Sequence, residues 1–242
     1  MWDNPRALNA VANLLFAAGL GALLMVAVVA VAHLPAFALR TVELTAPLER
    51  VTAEQVRAVV AREVRGTFFT VDLERVRSGF EKLPWVRKAN LTRRWPATLV
   101  VELEEHVALA RWGEDALINR YGERFKAAFD GRLPVLAGPD GSEHEMIERY
   151  LRFRDLLARV GLGLGELRLS DRGAWELKLD QGTVVKLGRE HVEQRLARFL
   201  AAYGESVGRL GVSVEYVDLR YSHGFAVRVS RTVRETLAPK GT

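Results

Sequence analysis

The chain has no cysteine among its 242 residues. Disulfides, thiolate metal sites and cysteine nucleophiles are therefore excluded. The compartment stays open, because cysteine-free proteins occur on both sides of a membrane. Histidine is scarce: His33, His106, His144, His191 and His223. No two of them have the i, i+4 spacing that sets a pair of imidazoles on one helix face for a metal. His144-Glu145 opens like a zinc-protease helix, but position 148 is Glu, so the motif fails. There is no G-x-S-x-G elbow and no phosphate-cradling loop. Gly161, Gly163 and Gly165 are followed by Glu166 where a dinucleotide fingerprint needs glycine. That run also leaves a helical pattern and enters a strand, the reverse of the fingerprint's order, so it reads as a helix stop. Asn90-Leu91-Thr92 is a glycosylation sequon by letter only. Carboxylates are plentiful, yet no pair stands out as an acid/base couple. No cofactor, metal or catalytic group is expected.

The second absence is of charge. No Asp, Glu, Lys or Arg lies between Arg6 and Arg40, and residues 14–32, LLFAAGLGALLMVAVVAVA, are all apolar or small. A bilayer needs roughly 20 such residues in a helix. A signal peptide is the competing reading, since Ala30-Val31-Ala32 and Ala36-Phe37-Ala38 both fit a small-x-small cleavage site. Signal-peptide apolar regions run only about 7–15 residues, so length favours an uncleaved anchor over 10–34. A buried core helix does not suit a segment apolar on every face. Charge does not orient it: Arg6 is opposed by Asp3, while Arg40, Arg50 and Arg57 alternate with Glu43, Glu49 and Glu54.

What is present is a globular composition, 49% hydrophobic and 27% charged, with a net charge of +5. So small an excess reads as a solvated basic surface rather than a nucleic-acid site. Residues 37–44 alternate as a strand. Thr52 and Gln55 make a capping box for a helix carrying Val56, Val59, Val60 and Val64, ended by Gly66. Asp72 caps a second helix with the stripe Leu73, Val76, Phe80 and Leu83, stopped at Pro84. Strands follow at 85–92 and 99–103, joined at RRWP. Arg87, Lys88, Arg93 and Arg94 would give that hairpin a basic face, with Trp85 and Trp95 packed on the two helices. Beyond it, strands are expected at 108–112, 116–119, 123–125 and 133–136. A helix over 143–160 carries Met146, Ile147, Tyr150, Leu151, Leu156, Leu157 and Val160. Strands at 164–169, 175–180 and 183–187 come next. A helix over 190–203 then turns Val192, Leu196, Phe199, Leu200 and Tyr203 inward. The class is α+β: a transmembrane helix, a β-α-α-β-β domain, then a mainly antiparallel β domain with two helices.

The last patterned stretch, SVEYVDLRYSHGFAVRV, reads as a hairpin turning at Ser222-His223-Gly224. Phe225, Val227 and Val229 alternate with Ala226 and Arg228. In the first strand Val214, Tyr216, Val217, Leu219 and Tyr221 change face part-way along. Only a polar tail follows, so the last strand is placed at a sheet edge with unpaired backbone groups.

Taken in order, GTFFTVDLERVRSGFEKLPWVRKANLTRRWPATLVVELEEHVALARW, LINRYGERF, LPVLAGPDG, EQRLARF and YVDLRYSHG resemble the FtsQ/DivIB family of bacterial division proteins, on the FtsQ side. The resemblance covers nearly the whole chain. It implies a short cytoplasmic segment (1–9), a transmembrane helix (10–34), a POTRA domain (37–106), a periplasmic β domain (107–231) and a polar tail (232–242). It also implies a scaffold without catalysis, small-molecule substrate or nucleic acid, placed in the inner membrane at the division septum. Its partners would be FtsB and FtsL, with other division proteins on the POTRA domain. In the family, FtsB adds a strand to the last sheet edge. Carried over residue by residue, the partner-binding set is Arg195, Tyr203, Tyr216, Arg220, Tyr221, Ser222, His223, Gly224, Phe225, Ala226 and Val227. Tyr216, Val217 and Leu219 have a core alternative, and Arg195 a helix-capping one. Phe225 departs from the family's small residue at its position, and Val229 from an aromatic. Rival readings are a membrane-anchored cell-wall enzyme and a POTRA-type chaperone or secretion adaptor.

Overall fold

The computed structural model describes residues 5–45, 47–203, 214–221 and 224–229. The chain divides into two compact units, Met1–His106 and Val107–Thr242.

The first unit opens with helix α1 (Pro5–Ala32), whose segment Asn9–Ala32 is long and apolar enough to cross a membrane. An all-apolar surface has no inner face, and none of that span is buried in protein. Pro35 then opens a short 3-10 turn, Pro35–Phe37. The strand expected over 37–44 is accordingly shorter, β1 (Thr41–Leu44). Helix α2 (Ala53–Glu63) starts at the capping box: Thr52 Oγ1 accepts from the Gln55 amide, and Gln55 Oε1 accepts from the Thr52 amide. Helix α3 (Leu73–Glu81) starts at Asp72, whose carboxylate accepts from the Arg75 amide at 3.0 Å. Strands β2 (Val86–Arg94) and β3 (Thr98–Glu105) complete a sheet of order β1-β3-β2, with β1 parallel to β3 and β2 antiparallel. The helical stripes (Val56, Val59, Val76, Phe80) meet Ala89, Leu99, Val101 and Leu103 from the sheet in one core. The Glu105 carboxylate accepts the amides of Glu49, Arg50 and Val51, which fixes the loop before α2.

Two expectations fail on the β2–β3 hairpin. Arg93 and Arg94 belong to β2, so the turn starts at Trp95. Its basic face is mostly paired: Arg87 with Glu104, Arg94 with Glu43, and Arg93 donating to the Val71 carbonyl. Trp85 does pack beside the core, but Trp95 is 63% exposed and lies among Phe37, Phe68 and Phe69. A turn residue projects away from the sheet faces, out of the helices' reach.

The second unit contains β4 (Ala108–Trp112), β5 (Ala116–Asn119), β6 (Arg124–Phe125), β7 (Val135–Ala137), α4 (Glu143–Ala158), β8 (Leu164–Leu169), β9 (Trp175–Leu179), β10 (Val184–Gly188), α5 (Val192–Tyr203), β11 (Val214–Asp218) and β12 (Ala226–Val229). Among the described residues these form one nine-stranded sheet, ordered β12-β11-β10-β9-β8-β7-β4-β5-β6. Five of its eight pairings are antiparallel; β4–β7, β7–β8 and β10–β11 are parallel. Helices α4 and α5 are the crossovers that parallel neighbours require. α4 packs on β8 and α5 on β10, and the two helices touch, so they share one face of the sheet. Met146, Ile147, Tyr150, Phe153 and Leu157 of α4 and Val192, Leu196, Phe199 and Leu200 of α5 are buried there. Val160 is not in that stripe. α4 stops at Ala158, leaving Val160 exposed, and Leu162 enters the core instead.

Candidate partner-binding edge

Two rows of side chains cross the sheet to β12, one on each face. Leu167, Leu177, Val185, Val217 and Val227 are successive neighbours from β8 to β12 on the helix-covered face. The first four are essentially fully buried; Val227, the last, is 37% exposed. The apolar row thus ends on a partly exposed valine. On the opposite face Arg168, Glu176, Lys186, Asp218 and Ala226 are successive neighbours, so charges alternate in sign before ending at a small residue. Opposite charges on facing strands attract, and within this row Lys186 pairs with Glu176 at 3.9 Å, while Arg168 turns to Glu166 and Asp218 to Arg220.

Among the described residues β12 is one edge of the sheet, and β6 the other. Residues 219–225 separate its ladder from that of β11, a longer connection than the three-residue turn expected at 222–224. The reason lies on β11, which keeps bonding to β10 beyond its pairing with β12: the Leu219 amide donates to the Lys186 carbonyl at 2.9 Å. The change of face along β11 also has a cause. The register shifts between Val214 and Tyr216, a bulge that turns Tyr216 outward.

The expected site residues fall into two groups. Around β11 and β12, Tyr216 is half-buried, and Lys186 and Arg228 lie 5.4 and 5.6 Å from its ring centroid. Tyr221 is 58% exposed. Gly224 and Ala226 are exposed, whereas Phe225 is half-buried with its ring 5.6 Å from that of Phe199. Tyr203 meets the same Phe199 at 5.5 Å, edge-on. Val217 and Leu219 are buried in the core. Ser222 and His223 lie outside the described residues.

The second group surrounds the end of β10. Gly188 has φ +80, and a Cβ there would sit 2.7 Å from Arg195 Nη1 and 3.2 Å from Arg220 Cγ. Glycine thus satisfies a left-handed turn and a close approach at once. Arg195 Nη1 donates to the Leu187 carbonyl at 2.7 Å, closing over this glycine from the helix side. Arg172, Arg189, Arg195 and Arg220 line one shallow hollow with the single acid Glu190. A cleft of about 570 Å³ adjoins it, lined in part by Arg168, Glu176, Lys186 and Arg220. The surface around the end of β10 is therefore rich in guanidinium groups, which suit a carboxylate.

Asp218 holds this geometry and was not anticipated. It is 5% exposed, accepts from Tyr216 Oη at 3.1 Å, and takes Arg220 in a fork, Nε at 2.9 Å and Nη2 at 2.6 Å. The Arg220 side chain is held first by that carboxylate, which keeps it more firmly protonated. Hydrogen bonds from Arg220 lower the Asp218 pKa from 3.8 to about 2 against the opposing effect of burial. Burial first, then the Asp218 carboxylate, raises the Tyr216 phenol. The i, i+2 spacing of Asp218 and Arg220, one face of a strand apart, was the signal available in the sequence.

A pH dependence follows. The folded pKa lies below the unfolded one, so the stability contributed by Asp218 is full above about pH 5 and lost as the pH falls through the folded value. Asp218→Asn is expected to be less stable than wild type at pH 7, with the difference closing between pH 4 and pH 2 in denaturant titrations. A difference that is unchanged at pH 2 contradicts the pairing.

An apolar helix of membrane-crossing length, a β-α-α-β-β unit and an α+β unit define a POTRA-bearing protein. The profile described as "POTRA domain, FtsQ-type" matches residues 37–106, and that described as "Cell division protein FtsQ/DivIB, C-terminal" matches residues 110–220. "Cell division protein FtsQ" of Nitrosospira multiformis is 45% identical over 96% of this chain and 100% of its own length. The proteins of that name from Burkholderia pseudomallei (41%, 95% of each chain) and Bordetella pertussis (36%, 95% of this chain and 93% of its own) are similar over the same extent. The chain belongs to the FtsQ/DivIB family of cell division proteins.

Proposed function

We propose that this chain is a non-enzymatic scaffold of the divisome. It crosses the inner membrane once through α1, N-terminus in the cytoplasm, and holds its two folded units in the periplasm at the septum. There it gathers FtsB and FtsL by accepting a strand of FtsB along β12. The observation that carries this reading is the partly exposed Val227, which ends the apolar row on a strand that is an edge of the sheet among the described residues. A tenth strand would continue the ladder, cover Val227 and satisfy the open backbone groups, with main-chain bonds giving affinity. Its alternate side chains would face the arginines, so an acidic residue beside the added strand would meet Arg195, Arg220 or Arg228.

The test is calorimetric titration of the full chain in lipid nanodiscs with the periplasmic segment of FtsB and with a scrambled segment of equal composition. Saturable binding of FtsB alone is expected. Equal binding of both would favour a general peptide adaptor, and binding of neither would remove the role assigned to β12.

A further inference from the structure

The loop 67–69 is tied to the end of α1. Thr67 Oγ1 donates to the Ala32 carbonyl at 2.6 Å, and the Phe68 amide donates to the Phe37 carbonyl at 2.7 Å. Four aromatic rings gather at this junction. Phe69 lies 5.1 Å from Phe37, 5.3 Å from Phe68 and 6.2 Å from Trp95, and Phe68 lies 5.5 Å from Trp95. Such a cluster would ordinarily be core, but Phe69 is 50% and Trp95 63% exposed. Phe69 also shares an apolar groove with Leu24, Ala27, Val28, Val31 and Ala32 of α1.

The depth of that groove decides what covers it. The apolar span Asn9–Ala32 has 24 residues. At ~1.5 Å per residue it measures ~36 Å, against a hydrocarbon core of ~30 Å. Even if the whole surplus, about four residues, lay at the C-terminal end, Leu24, Ala27 and Val28 would still be in hydrocarbon. Phe69 borders those residues, so a bilayer that contains α1 reaches Phe69 as well. Trp95, beside it, has the amphipathic ring that favours the headgroup level. Arg40 is exposed next to the same turn, its amide bonded to the Ala97 carbonyl, and supplies a cation for headgroup phosphates.

We propose that the rim formed by Phe68, Phe69 and Trp95 docks into the acyl–headgroup boundary of the phospholipid bilayer, clamping the POTRA domain to the membrane surface that α1 leaves. The proposal rests on α1 being a membrane span. Its consequence is that the POTRA domain is seated on the bilayer rather than tethered above it, with its orientation set by two attachments.

The absence of cysteine makes the test direct. Single cysteines at Leu20, Phe69, Lys82 and Trp95 are each labelled with a nitroxide in the full chain, reconstituted in phosphatidylethanolamine/phosphatidylglycerol nanodiscs. Collision with apolar oxygen is compared with collision with a polar nickel chelate. The expected oxygen-to-nickel ratio is highest at 20, lowest at 82, and several-fold above that of 82 at both 69 and 95. A ratio at 69 and 95 equal to that at 82, with 20 still deep, overturns the docking and leaves the span standing. A low ratio at 20 removes the span and the docking together. Shielding of 69 and 95 from both reagents means that protein, not lipid, covers the rim, and also overturns the proposal.

Discussion

Replacing Tyr221 by alanine is expected to weaken the FtsB segment's binding by about 2 kcal/mol, roughly thirtyfold. Tyr221 is 58% exposed in the connection between β11 and β12, so its ring contributes little to the fold of the unbound chain. A large aromatic left in water has much to gain from a partner. Thermal unfolding of the variant is expected to match wild type, which separates a lost contact from a damaged fold. Unchanged affinity in the same titration would move the contact away from this connection. Phe225→Ala is not an equivalent probe. Its ring leans on Phe199, so truncation disturbs the core as well as the edge.

The second large effect is on stability. Phe153→Ala is expected to cost about 3–5 kcal/mol, because Phe153 is fully buried between α4 and the sheet. Domains commonly hold only ~5–15 kcal/mol in total, so the C-terminal unit would melt at least ~10 °C lower. A shift below ~3 °C would show that α4 does not pack on the sheet as described. The loss of β12 with the rest of the sheet should abolish partner binding above the new melting point.

The helices were the most legible part of the fold. Their signals are local: Thr52 with Gln55, Asp72 before its stripe, and apolar residues every three or four positions. Phe153 was the core residue missed within α4, because Leu151 and Leu156, half-buried at the flanks, drew the stripe aside. The strands were found, but their neighbours were not. β4–β7 and β7–β8 are parallel pairs set by crossovers, and nothing in a strand's own residues names a partner so distant in the chain. The 3-10 turn at Pro35 and the exposure of Trp95 were hidden for a related reason. An aromatic in a turn carries no periodicity to say which way it points.

The alternation of Phe225, Val227 and Val229 indicated an outer strand, and among the described residues β12 is one. The identities of Arg195, Tyr216, Arg220 and Tyr221 as candidate contacts came from resemblance to the family, not from pattern. What neither route supplied was the support beneath them. Asp218 is a buried acid whose role depends on Arg220 folding back over it, and Gly188 is a gap that lets Arg195 and Arg220 approach. Both are three-dimensional requirements. Gly188→Ala would press on Arg195 and Arg220 and strain a backbone position that pairs with Trp175 in the ladder.

The proposed partner strand joins β12. Amide hydrogen exchange of the full chain in nanodiscs, with and without a saturating FtsB segment, tests that most directly. Without partner, the amides of residues 226–229 that face the open edge should exchange rapidly while those bonded to β11 are slow. On binding, the rapid ones should become protected by at least an order of magnitude, with little change at β6, the far edge. Saturated binding that leaves the exchange of 226–229 unaltered would contradict strand addition and place the partner elsewhere on the protein.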